Sequence, residues 1–194
     1  MKVLFIGGTG LISSACTSLA LQRGIELFVL NRGASSKYAR PVGAQYWQDD
    51  VRRDPGAVAQ RLTGHFFDAV VDWVAFTADD IEQDIALFRG KTRQFVFISS
   101  ASAYQKPPGH YLITEDTPLA NPFWDYSRQK IACEERLLRA YRDEGFPVTI
   151  VRPSLTYDQF ALPIHGGWTQ IARLRAGKPA VVHDFDGDGK AEIA

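Results

Sequence analysis

The sequence predicts an α/β fold in which helices cover a doubly wound parallel sheet. Short apolar runs, rich in β-branched and aromatic residues, alternate with longer segments of helical periodicity. Most of the short runs are apolar throughout, which is typical of parallel strands buried on both faces. The predicted order is β-α-β-β-α-β-α-β-loop-α-β, so crossover helices are expected on both faces of a single sheet.

Six strands and five helices are predicted from these patterns and from their capping residues. The strands are expected at residues 3–6, 25–30, 45–47, 68–74, 94–98 and 148–151, the helices at 11–23, 55–62, 79–88, 123–144 and 168–175, and a proline-broken loop at 107–122. Gly24, Gly90 and Gly145 end three of the helices, because glycine readily adopts the left-handed conformation found there. Asp54 before Pro55 combines an N-cap with a first-turn proline and starts the second helix.

The charge balance and the cysteine content limit the classes of function. Lys plus Arg and Asp plus Glu each number 22, so the formal net charge is zero. A neutral chain lacks a general electrostatic attraction to nucleic acid or to an anionic membrane, so neither partner is expected. Two cysteines far apart in sequence, Cys16 and Cys133, suit a reducing compartment. No signal peptide or membrane-spanning run is visible, so a cytoplasmic protein is expected.

The stretch GGTGLIS, residues 7–13, indicates a phosphate-binding turn. It follows the first predicted strand and opens the first predicted helix, where a doubly wound sheet binds ligands. Gly7, Gly8 and Gly10 would let backbone N–H groups approach a pyrophosphate without an intervening Cβ. Ser13 stands where a third glycine normally allows close packing, a change that affects packing rather than phosphate contact. A plain glycine turn between strand and helix is the alternative.

Because of this turn, we expect residues 1–152 to form a Rossmann-type domain that binds NAD or NADP. Beyond Arg152 the pattern weakens to loops, one helix and a final strand-like piece. Residues 153–194 are too few for a complete second domain. We therefore expect them to form an incomplete C-terminal substrate-binding part.

The residues after the second and third strands bear on the choice of cofactor. Strand two ends in Asn31-Arg32, without the acidic residue that usually binds the adenosine ribose. Asn31 can still hydrogen-bond a ribose and Arg32 can bind a 2′-phosphate, so NADP is favoured over NAD. A solvated Arg32 is the alternative. Asp50, followed by Val51, can accept a hydrogen bond from the adenine amino group. Asp49 could replace it in another register, and a turn-capping Asp50 is equally compatible.

The segment YSRQK suggests acid–base chemistry. Tyr126 and Lys130 are four residues apart on a predicted helix, so both lie on one face. A lysine ammonium near the phenol would favour the phenolate, which could act as a general acid or base near neutral pH. Ser100, at the end of the fifth strand, could hydrogen-bond a substrate hydroxyl or carbonyl. For Tyr126 and Lys130 taken alone, an exposed amphipathic pair is the alternative.

Several motifs in this order resemble those of extended short-chain dehydrogenases/reductases of the NAD-dependent epimerase/dehydratase group. The matching segments are GGTGLIS, DDV after strand three, FVFISSASAY, YSRQK and VRPSLTY, which cover about residues 1–160. The resemblance implies that Ser100, Tyr126 and Lys130 form a catalytic triad. It also implies that Lys130 binds the nicotinamide ribose beside a turn at Pro153 and Ser154. Cofactor contacts are expected at Gly7, Gly8, Thr9, Gly10, Leu11, Ile12, Asn31, Arg32, Asp50, Val51, Val74, Ala75, Ser99, Tyr126, Lys130, Pro153 and Ser154.

The positions at which the chain departs from this resemblance limit the reactions that it is expected to catalyse. Family dehydratases carry an Asp-Glu pair directly after the serine position, whereas Ala101 and Ser102 follow Ser100 here. This leaves an oxidoreductase or epimerase acting on a sugar-like alcohol or ketone, with nucleotide sugars as the substrates that the resemblance implies. A non-catalytic dinucleotide-binding protein, either a redox sensor or an RNA-associated scaffold, is the alternative. The resemblance further implies a homodimer formed through the helices after strands four and five.

Two charged stretches have other interpretations. Acidic residues spaced as in a calcium loop occur in DFDGDGKAEIA, at Asp184, Asp186, Asp188 and Glu192. A polar hairpin is favoured there, and no metal site is expected. Glutamates and arginines also alternate along the long helix around Glu134 and Arg136, which predicts a solvated, salt-bridged face.

Overall fold

The computed structural model of the chain describes residues 1–34, 37–163 and 166–179. The stretch with calcium-loop spacing, residues 184–192, lies outside the described residues. Within the described part, no helix is both long and apolar enough to cross a bilayer. In the same ranges, no group of three or more His, Cys, Asp or Glu side chains is arranged to hold a metal ion.

One sheet of six parallel strands forms the centre of the fold. The strands are Lys2–Ile6 (β1), Glu26–Asn31 (β2), Gln45–Gln48 (β3), Ala69–Asp72 (β4), Phe95–Ile98 (β5) and Val148–Val151 (β6). Their order is β3-β2-β1-β4-β5-β6, and Val3 of β1 pairs with Leu27 of β2 and with Ala69 of β4. The predicted α/β class and the doubly wound parallel sheet are confirmed. Strand order reverses between β1 and β4, and ligands bind at the carboxyl edge beside such a reversal.

Five helices connect or follow the strands, and their caps explain where they begin and end. They are Leu11–Gln22 (α1), Pro55–Arg61 (α2), Ala78–Phe88 (α3), Asp125–Glu144 (α4) and Trp168–Arg175 (α5). The carboxylate of Asp54 accepts the N–H of Ala57, and Gly145 ends α4 in the left-handed conformation, as predicted. Thr77 accepts the N–H of Asp80, so α3 begins one residue earlier than predicted.

β4 is shorter than the predicted residues 68–74 because a side chain turns the backbone at its end. The carboxylate of Asp72 accepts the N–H groups of Val74 and Ala75, at 2.5 and 2.9 Å. These bonds close a turn at the carboxyl edge of the sheet. Val74 and Ala75 therefore leave the strand and enter the region of the site.

The long helix α4 begins at Asp125, two residues after its predicted start. Oδ1 of Asn121 accepts the N–H of Phe123 at 3.2 Å, and Trp124 keeps extended backbone angles. The helical turn therefore starts only after this loop contact.

Apolar side chains form one cluster on each face of the sheet. The larger cluster lies under α2, α3 and α4 and includes Leu4, Phe28 and Phe97 of the strands. The smaller cluster packs against α1 and includes Val3 and Val29. Successive residues of β1 and β2 point to opposite faces, and both faces are covered, which explains the uninterrupted apolar runs. The two clusters hold the carboxyl ends of the strands in place.

Regular secondary structure becomes sparse after β6. The described residues 152–163 and 166–179 form loops and the helix α5. Trp168 and Leu174 of α5 are exposed. This agrees with the weaker sequence pattern after Arg152.

Candidate active site

A cavity of about 1430 Å³ opens at the carboxyl edge of the sheet. It is bordered by the loops after all six strands and by the first turns of α1 and α4. The predicted site residues that line it are Gly7, Thr9, Gly10, Leu11, Ile12, Asn31, Arg32, Asp50, Val51, Val74, Ser99, Ser100, Tyr126, Lys130, Pro153 and Ser154. Gly8 and Ala75 lie behind this lining, since Gly8 packs against Val29 and Ala75 is buried. The structure thus brings the predicted site residues to one place.

The turn after β1 requires glycine at two positions. Gly7 and Gly8 have φ angles of +114° and +68°, in the region that favours glycine. A Cβ at Gly8 would lie 2.6 Å from Cγ1 of Val29, and one at Gly7 would lie 3.0 Å from Cβ of Trp73. The first turn of α1, whose N–H groups have no intrahelical acceptors, lines the cavity next to these glycines. The arrangement suits a phosphate group.

Ser13 anchors the same turn through its side chain. Its Oγ accepts the N–H of Gly10 at 2.8 Å, and Oγ1 of Thr17 donates to the carbonyl oxygen of Gly8 at 2.8 Å. Ser13 and Thr17 are both buried in α1. The serine therefore does more than replace a packing glycine, because it stabilises the turn and occupies one of its N–H groups.

The end of β2 carries an unsatisfied hydrogen-bond donor. Oδ1 of Asn31 accepts the N–H of Gly33 at 3.0 Å. Nδ2 of Asn31 is buried and has no hydrogen-bond partner among the described residues. A buried amide without an acceptor is costly, so this nitrogen suits an oxygen atom of a ligand. Arg32, the next residue, also lines the cavity.

The two candidates for binding adenine, Asp49 and Asp50, are engaged within the protein. Oδ1 of Asp50 accepts the N–H groups of Arg52 and Arg53 at 3.1 and 3.3 Å, which is the turn-capping alternative. Asp49 forms an ion pair with Arg61 at 2.6 Å. Both aspartates still line the cavity, so a contact with adenine stays a prediction.

The ring of Tyr126 is half-buried in the cavity wall on the first turn of α4. It lies between Trp124 and Phe76, with ring centroids 4.8 and 6.3 Å away. Burial raises the pKa of Tyr126, and a hydrogen bond with Ser100 acts in the opposite direction without cancelling it. The phenol is therefore protonated at neutral pH.

Lys130 lies one turn further along α4, and its ammonium is directed to the strand ends. It is 2% exposed, and Nζ donates to the carbonyl oxygens of Ala75 at 2.7 Å and Ile98 at 2.8 Å. Nζ is 5.7 Å from the ring centroid of Tyr126. The expected lowering of the phenol pKa by Lys130 is therefore not what this structure shows. Here the hydrogen bond from Ser100 lowers the pKa of Tyr126, which remains above its ordinary value.

Sequence reasoning missed a buried charge cluster beside the cavity. The guanidinium of Arg52 contacts Asp72 at 2.6 Å and Asp84 at 2.7 Å, and both carboxyl groups are fully buried. Burial and the neighbouring Asp72 raise the pKa of Asp84 well above its usual range, although Arg52 opposes this. Burial therefore disfavours the ionised form of Asp84, while the two hydrogen bonds from Arg52 favour it. The sequence signal for this cluster was Asp72, an aspartate inside the apolar run VVDWV.

Glu134 is fully buried, contrary to the predicted solvated face. Its carboxylate accepts hydrogen bonds from Nη2 of Arg152 at 2.7 Å and from Oγ of Ser99 at 2.5 Å. Arg152 also donates to the hydroxyl of Tyr104 at 3.1 Å. Glu134 is buried because it lies one turn after Lys130, on the face of α4 that packs against the sheet. These contacts join α4 to the ends of β5 and β6.

Known proteins resemble this chain over most of its length. Residues 3–188 match the NAD dependent epimerase/dehydratase family. UDP-glucose 4-epimerase from Lactobacillus helveticus is 29% identical over 78% of this chain and 51% of that protein. 2′-Dehydrokanamycin reductase from Streptomyces kanamyceticus is 29% identical over 98% of this chain and 53% of that protein. The chain thus spans about half the length of the curated relatives it matches.

The fold also occurs in solved structures. WbmG from Bordetella bronchiseptica, in complex with NAD and UDP, superimposes with a TM-score of 0.72 at 22% identity. The comparison covers 94% of this chain and 62% of that chain, and it supports the Rossmann-type sheet. Family membership rests on the match across nearly the whole sequence. The chain belongs to the NAD dependent epimerase/dehydratase family.

Proposed function

We propose that this protein is an NAD(P)-dependent oxidoreductase or epimerase that acts on a sugar-like alcohol or ketone. The observation that carries the proposal is the presence of Ser100, Tyr126 and Lys130 in one cavity with the glycine turn. Tyr126 shares a hydrogen bond with Ser100, and Lys130 is buried one turn away. A half-buried phenol with a neighbouring donor, beside a turn of dinucleotide-binding type, suits proton transfer coupled to hydride transfer.

The residues present fit a nicotinamide dinucleotide. The turn at Gly7 and Gly8 leaves no room for a Cβ, and Asn31 offers a donor that lacks a partner among the described residues. The pyrophosphate would bind at this turn, and Lys130 and Pro153 would hold the nicotinamide ribose end. When bound, the cofactor accepts or donates a hydride at a substrate carbon.

We propose NADP rather than NAD as the preferred cofactor. Asn31 presents an amide donor, and Arg32 lines the cavity beside it. Both side chains attract a 2′-phosphate, whereas an acidic residue at position 31 would repel it. WbmG binds NAD, so NAD is the competing outcome for this chain. Parallel fluorescence titrations with NADPH and NADH separate the two.

In the proposed reaction Tyr126 moves the proton. It accepts the hydroxyl proton when a substrate alcohol is oxidised and returns a proton to the oxygen when a ketone is reduced. Burial keeps the pKa of the phenol above its ordinary value, so reduction starts from the resting form. Ser100 donates a hydrogen bond to the reacting oxygen, and Lys130 adds positive charge near the phenol.

Epimerisation or reduction fits this cavity better than dehydration. Ala101 and Ser102 supply no carboxyl group for the removal of water. The activities of two relatives, UDP-glucose 4-epimerase and 2′-dehydrokanamycin reductase, are of the first two kinds. Nucleotide sugars are therefore the first substrate class to test, followed by other sugar-derived ketones.

The test is Tyr126→Phe, assayed with both nicotinamide cofactors and these substrates. We expect turnover to fall to background while cofactor affinity changes by less than about twofold, because phenylalanine keeps the ring between Trp124 and Phe76. Turnover at the wild-type rate would refute the assignment. If the wild type binds cofactor and turns over none of these substrates, the non-catalytic dinucleotide-binding protein becomes the better description.

We also propose a homodimer formed through α3 and α4, where Arg136 makes ion pairs with Glu82 and Glu144 of the same chain. Sedimentation of the protein tests this, since only a dimer has twice the mass of the chain. Cell fractionation tests the expected cytoplasmic location.

A further inference from the structure

A chain of side-chain hydrogen bonds leads from Asn121 to Ser100. Nδ2 of Asn121 donates to Oγ of Ser127 at 3.4 Å, and this hydroxyl donates to Oγ of Ser102 at 2.9 Å. Oγ of Ser102 is 2.9 Å from Oγ of Ser100, and Ser100 in turn interacts with the phenol of Tyr126, whose pKa it lowers. Asn121 and Ser127 are 1% and 0% exposed, so the chain begins in the interior and ends at the cavity.

Backbone partners determine the orientation of the Asn121 amide. Oδ1 accepts the N–H of Phe123 at 3.2 Å, and Nδ2 donates to the carbonyl oxygen of Ser102 at 2.9 Å. A backbone N–H can only donate and a carbonyl can only accept, so a reversed amide would face two like groups. Nδ2 is therefore the donor towards Ser127.

The direction of donation then passes from one hydroxyl to the next. Ser127 accepts from Asn121, so its single proton is free for Ser102. Ser102 accepts that proton, so its own hydroxyl proton is free to be donated to Ser100, whose Oγ lies 2.9 Å away. Oγ of Ser100 also accepts the N–H of Ser102 at 3.1 Å. When Ser102 donates both its N–H and its hydroxyl proton to Oγ of Ser100, Ser100 has only its own proton to offer to Tyr126 or to a ligand.

We propose that Asn121 and Ser127 are positioning residues that, through Ser102, make Ser100 an obligate hydrogen-bond donor in the active site. The inference rests on the proposed function, because that function assigns Tyr126 the acid–base role. An obligate donor stabilises the phenolate of Tyr126. It also forces the neutral phenol to direct its own proton into the cavity, because the phenol oxygen already accepts from Ser100.

The chain also defines the oxygen atom that the site recognises. The neutral phenol of Tyr126 presents its proton to the cavity, and Ser100, whose one proton goes either to Tyr126 or to a ligand, presents no acceptor there. The group bound at this pair is therefore an acceptor, which means the carbonyl oxygen of a ketone rather than a hydroxyl donor. A substrate alcohol finds its acceptor only when Tyr126 is ionised.

The titratable groups near the phenol of Tyr126 are Lys130 and Cys133 of α4. Lys106, in the loop after β5, and Asp80 of α3 line the same cavity. Burial raises the pKa of Cys133 to about 12, so its thiol is neutral. The hydrogen-bond chain itself carries no charge. Substitutions in it therefore act on the phenol through hydrogen bonding and not through the loss of a charge.

The test compares Ser127→Ala with Thr92→Val by NMR of protein labelled at the tyrosine Cζ carbon. The resonance of Tyr126 is assigned by its loss in Tyr126→Phe. Ser127→Ala removes the donor to Ser102, so we expect the pKa of Tyr126 to rise by about one unit. At a fixed alkaline pH the phenolate fraction is then smaller. Thr92→Val removes a buried hydroxyl that bonds the Gln94 carbonyl outside the cavity, and it should leave the titration unchanged.

Variants at Ser102 test whether the residues act in series. Ser102→Ala should raise the pKa of Tyr126 at least as much as Ser127→Ala does, and Ser102→Thr, which keeps a hydroxyl, should restore it. Because Ser127 acts through Ser102, the double alanine variant should show no further rise. In turnover assays, the Tyr126-dependent limb of the pH profile should move upwards by the same amount, with an unchanged KM for the cofactor.

Each outcome separates the inference from the proposed function. An unchanged pKa of Tyr126 in Ser127→Ala, or additive rises in the double variant, overturns the chain. A shifted pKa in a protein that turns over no substrate supports the chain and refutes the proposed function, because the NMR titration needs no catalysis. Circular dichroism at each pH checks folding. If Ser127→Ala does not fold, Ser102→Ala and Ser102→Thr provide the same comparison.

Discussion

Nζ of Lys130 lies 2.7 Å from the carbonyl oxygen of Ala75, at the turn that follows β4. The N–H of Ala75 is bound by the carboxylate of Asp72 at 2.9 Å, and Asp72 is paired with Arg52 at 2.6 Å. The candidate catalytic lysine and the buried charge cluster are thus connected through one peptide turn. Stability and site geometry depend on the same few contacts.

Lys130→Met should abolish the part of the pH dependence of stability that comes from the buried ammonium. Burial lowers the pKa of Lys130, so the unfolded chain holds this proton more tightly than the folded chain. Wild-type stability should therefore rise as the pH passes from the folded pKa towards the unfolded value of 10.5, and Lys130→Met should lack this rise. Urea unfolding at about pH 7 and about pH 10 measures it.

The exposed residue Lys178 provides the control for that experiment. Lys178→Met should follow the wild type at both pH values, because it removes an exposed ammonium and leaves the buried ammonium of Lys130 in place. If the stability of Lys130→Met changes with pH in parallel with the wild type, the buried ammonium is not the source of the effect.

Asp84→Asn should be nearly neutral at about pH 4, with a loss below about 1 kcal/mol in the free energy of unfolding. An amide has the shape of a protonated carboxyl group, which is the form that burial and the neighbouring Asp72 favour at Asp84. Its raised pKa means that the stabilising contribution is complete below the unfolded value of 3.8 and is lost as the pH rises through the folded pKa. Relative to the wild type, Asp84→Asn should therefore gain stability as the pH rises from 3.8 towards the folded pKa, which urea unfolding at about pH 4 and about pH 7 measures.

Asp72→Asn is the matched comparison and should cost about 3 kcal/mol or more. The carboxylate of Asp72 accepts hydrogen bonds from Arg52 and from the N–H groups of Val74 and Ala75. An amide nitrogen in place of one oxygen cannot accept, so a buried donor loses its partner. A greater loss at neutral pH for Asp84→Asn than for Asp72→Asn would contradict the raised pKa of Asp84.

Gly8→Ala should destabilise the protein by about 2 kcal/mol or more and weaken dinucleotide binding. The φ angle of +68° disfavours alanine, and the added methyl would lie 2.6 Å from Cγ1 of Val29. Gly56→Ala in α2 is the control, since its added methyl meets only Asp54 Oδ1 at 3.6 Å. It should be neutral or stabilising by up to about 1 kcal/mol. If the two substitutions had equal effects in thermal unfolding, the turn at Gly8 would have no special requirement for glycine.

Asn31→Asp should weaken NADPH binding by about tenfold more than NADH binding. A carboxylate repels the 2′-phosphate that the Asn31 amide and Arg32 would attract. Arg32→Ala should act in the same direction, whereas Arg23→Ala, an exposed change at the far end of α1, should change neither affinity. Fluorescence titration gives both constants for each variant. Equal losses for the two cofactors would remove the basis for an NADP preference.

Most of the fold could be predicted from local sequence patterns, because short-range rules determine strands, turns and helix faces. The apolar runs of β1 and β2 are buried on both faces, so strand positions could be read without knowledge of the partners. The glycine turn and the spacing of Tyr126 and Lys130 are likewise local. The early end of β4 was harder to predict, because it depends on the side chain of Asp72 bonding to backbone two and three residues later.

Contacts between distant segments could not be predicted from spacing. Arg52 and Asp84 are 32 residues apart, and Glu134 meets Arg152 only because α4 packs beside β6. Arginines next to aspartates are common on surfaces, so their pattern alone indicates a solvated pair. Burial changes the chemistry of these groups, and burial is a property of the assembled sheet.

By itself, the sequence determined the α/β class, the order of the elements, the glycine turn after β1 and the helix face shared by Tyr126 and Lys130. These features depend on residues close together in the chain, through backbone conformation and periodic burial. Only the tertiary structure decided that Lys130 binds strand carbonyls and that three further side chains orient Ser100. Hydrogen-bond direction and pKa depend on which distant groups meet in a low-dielectric interior, and only the packing of helix on sheet brings them together.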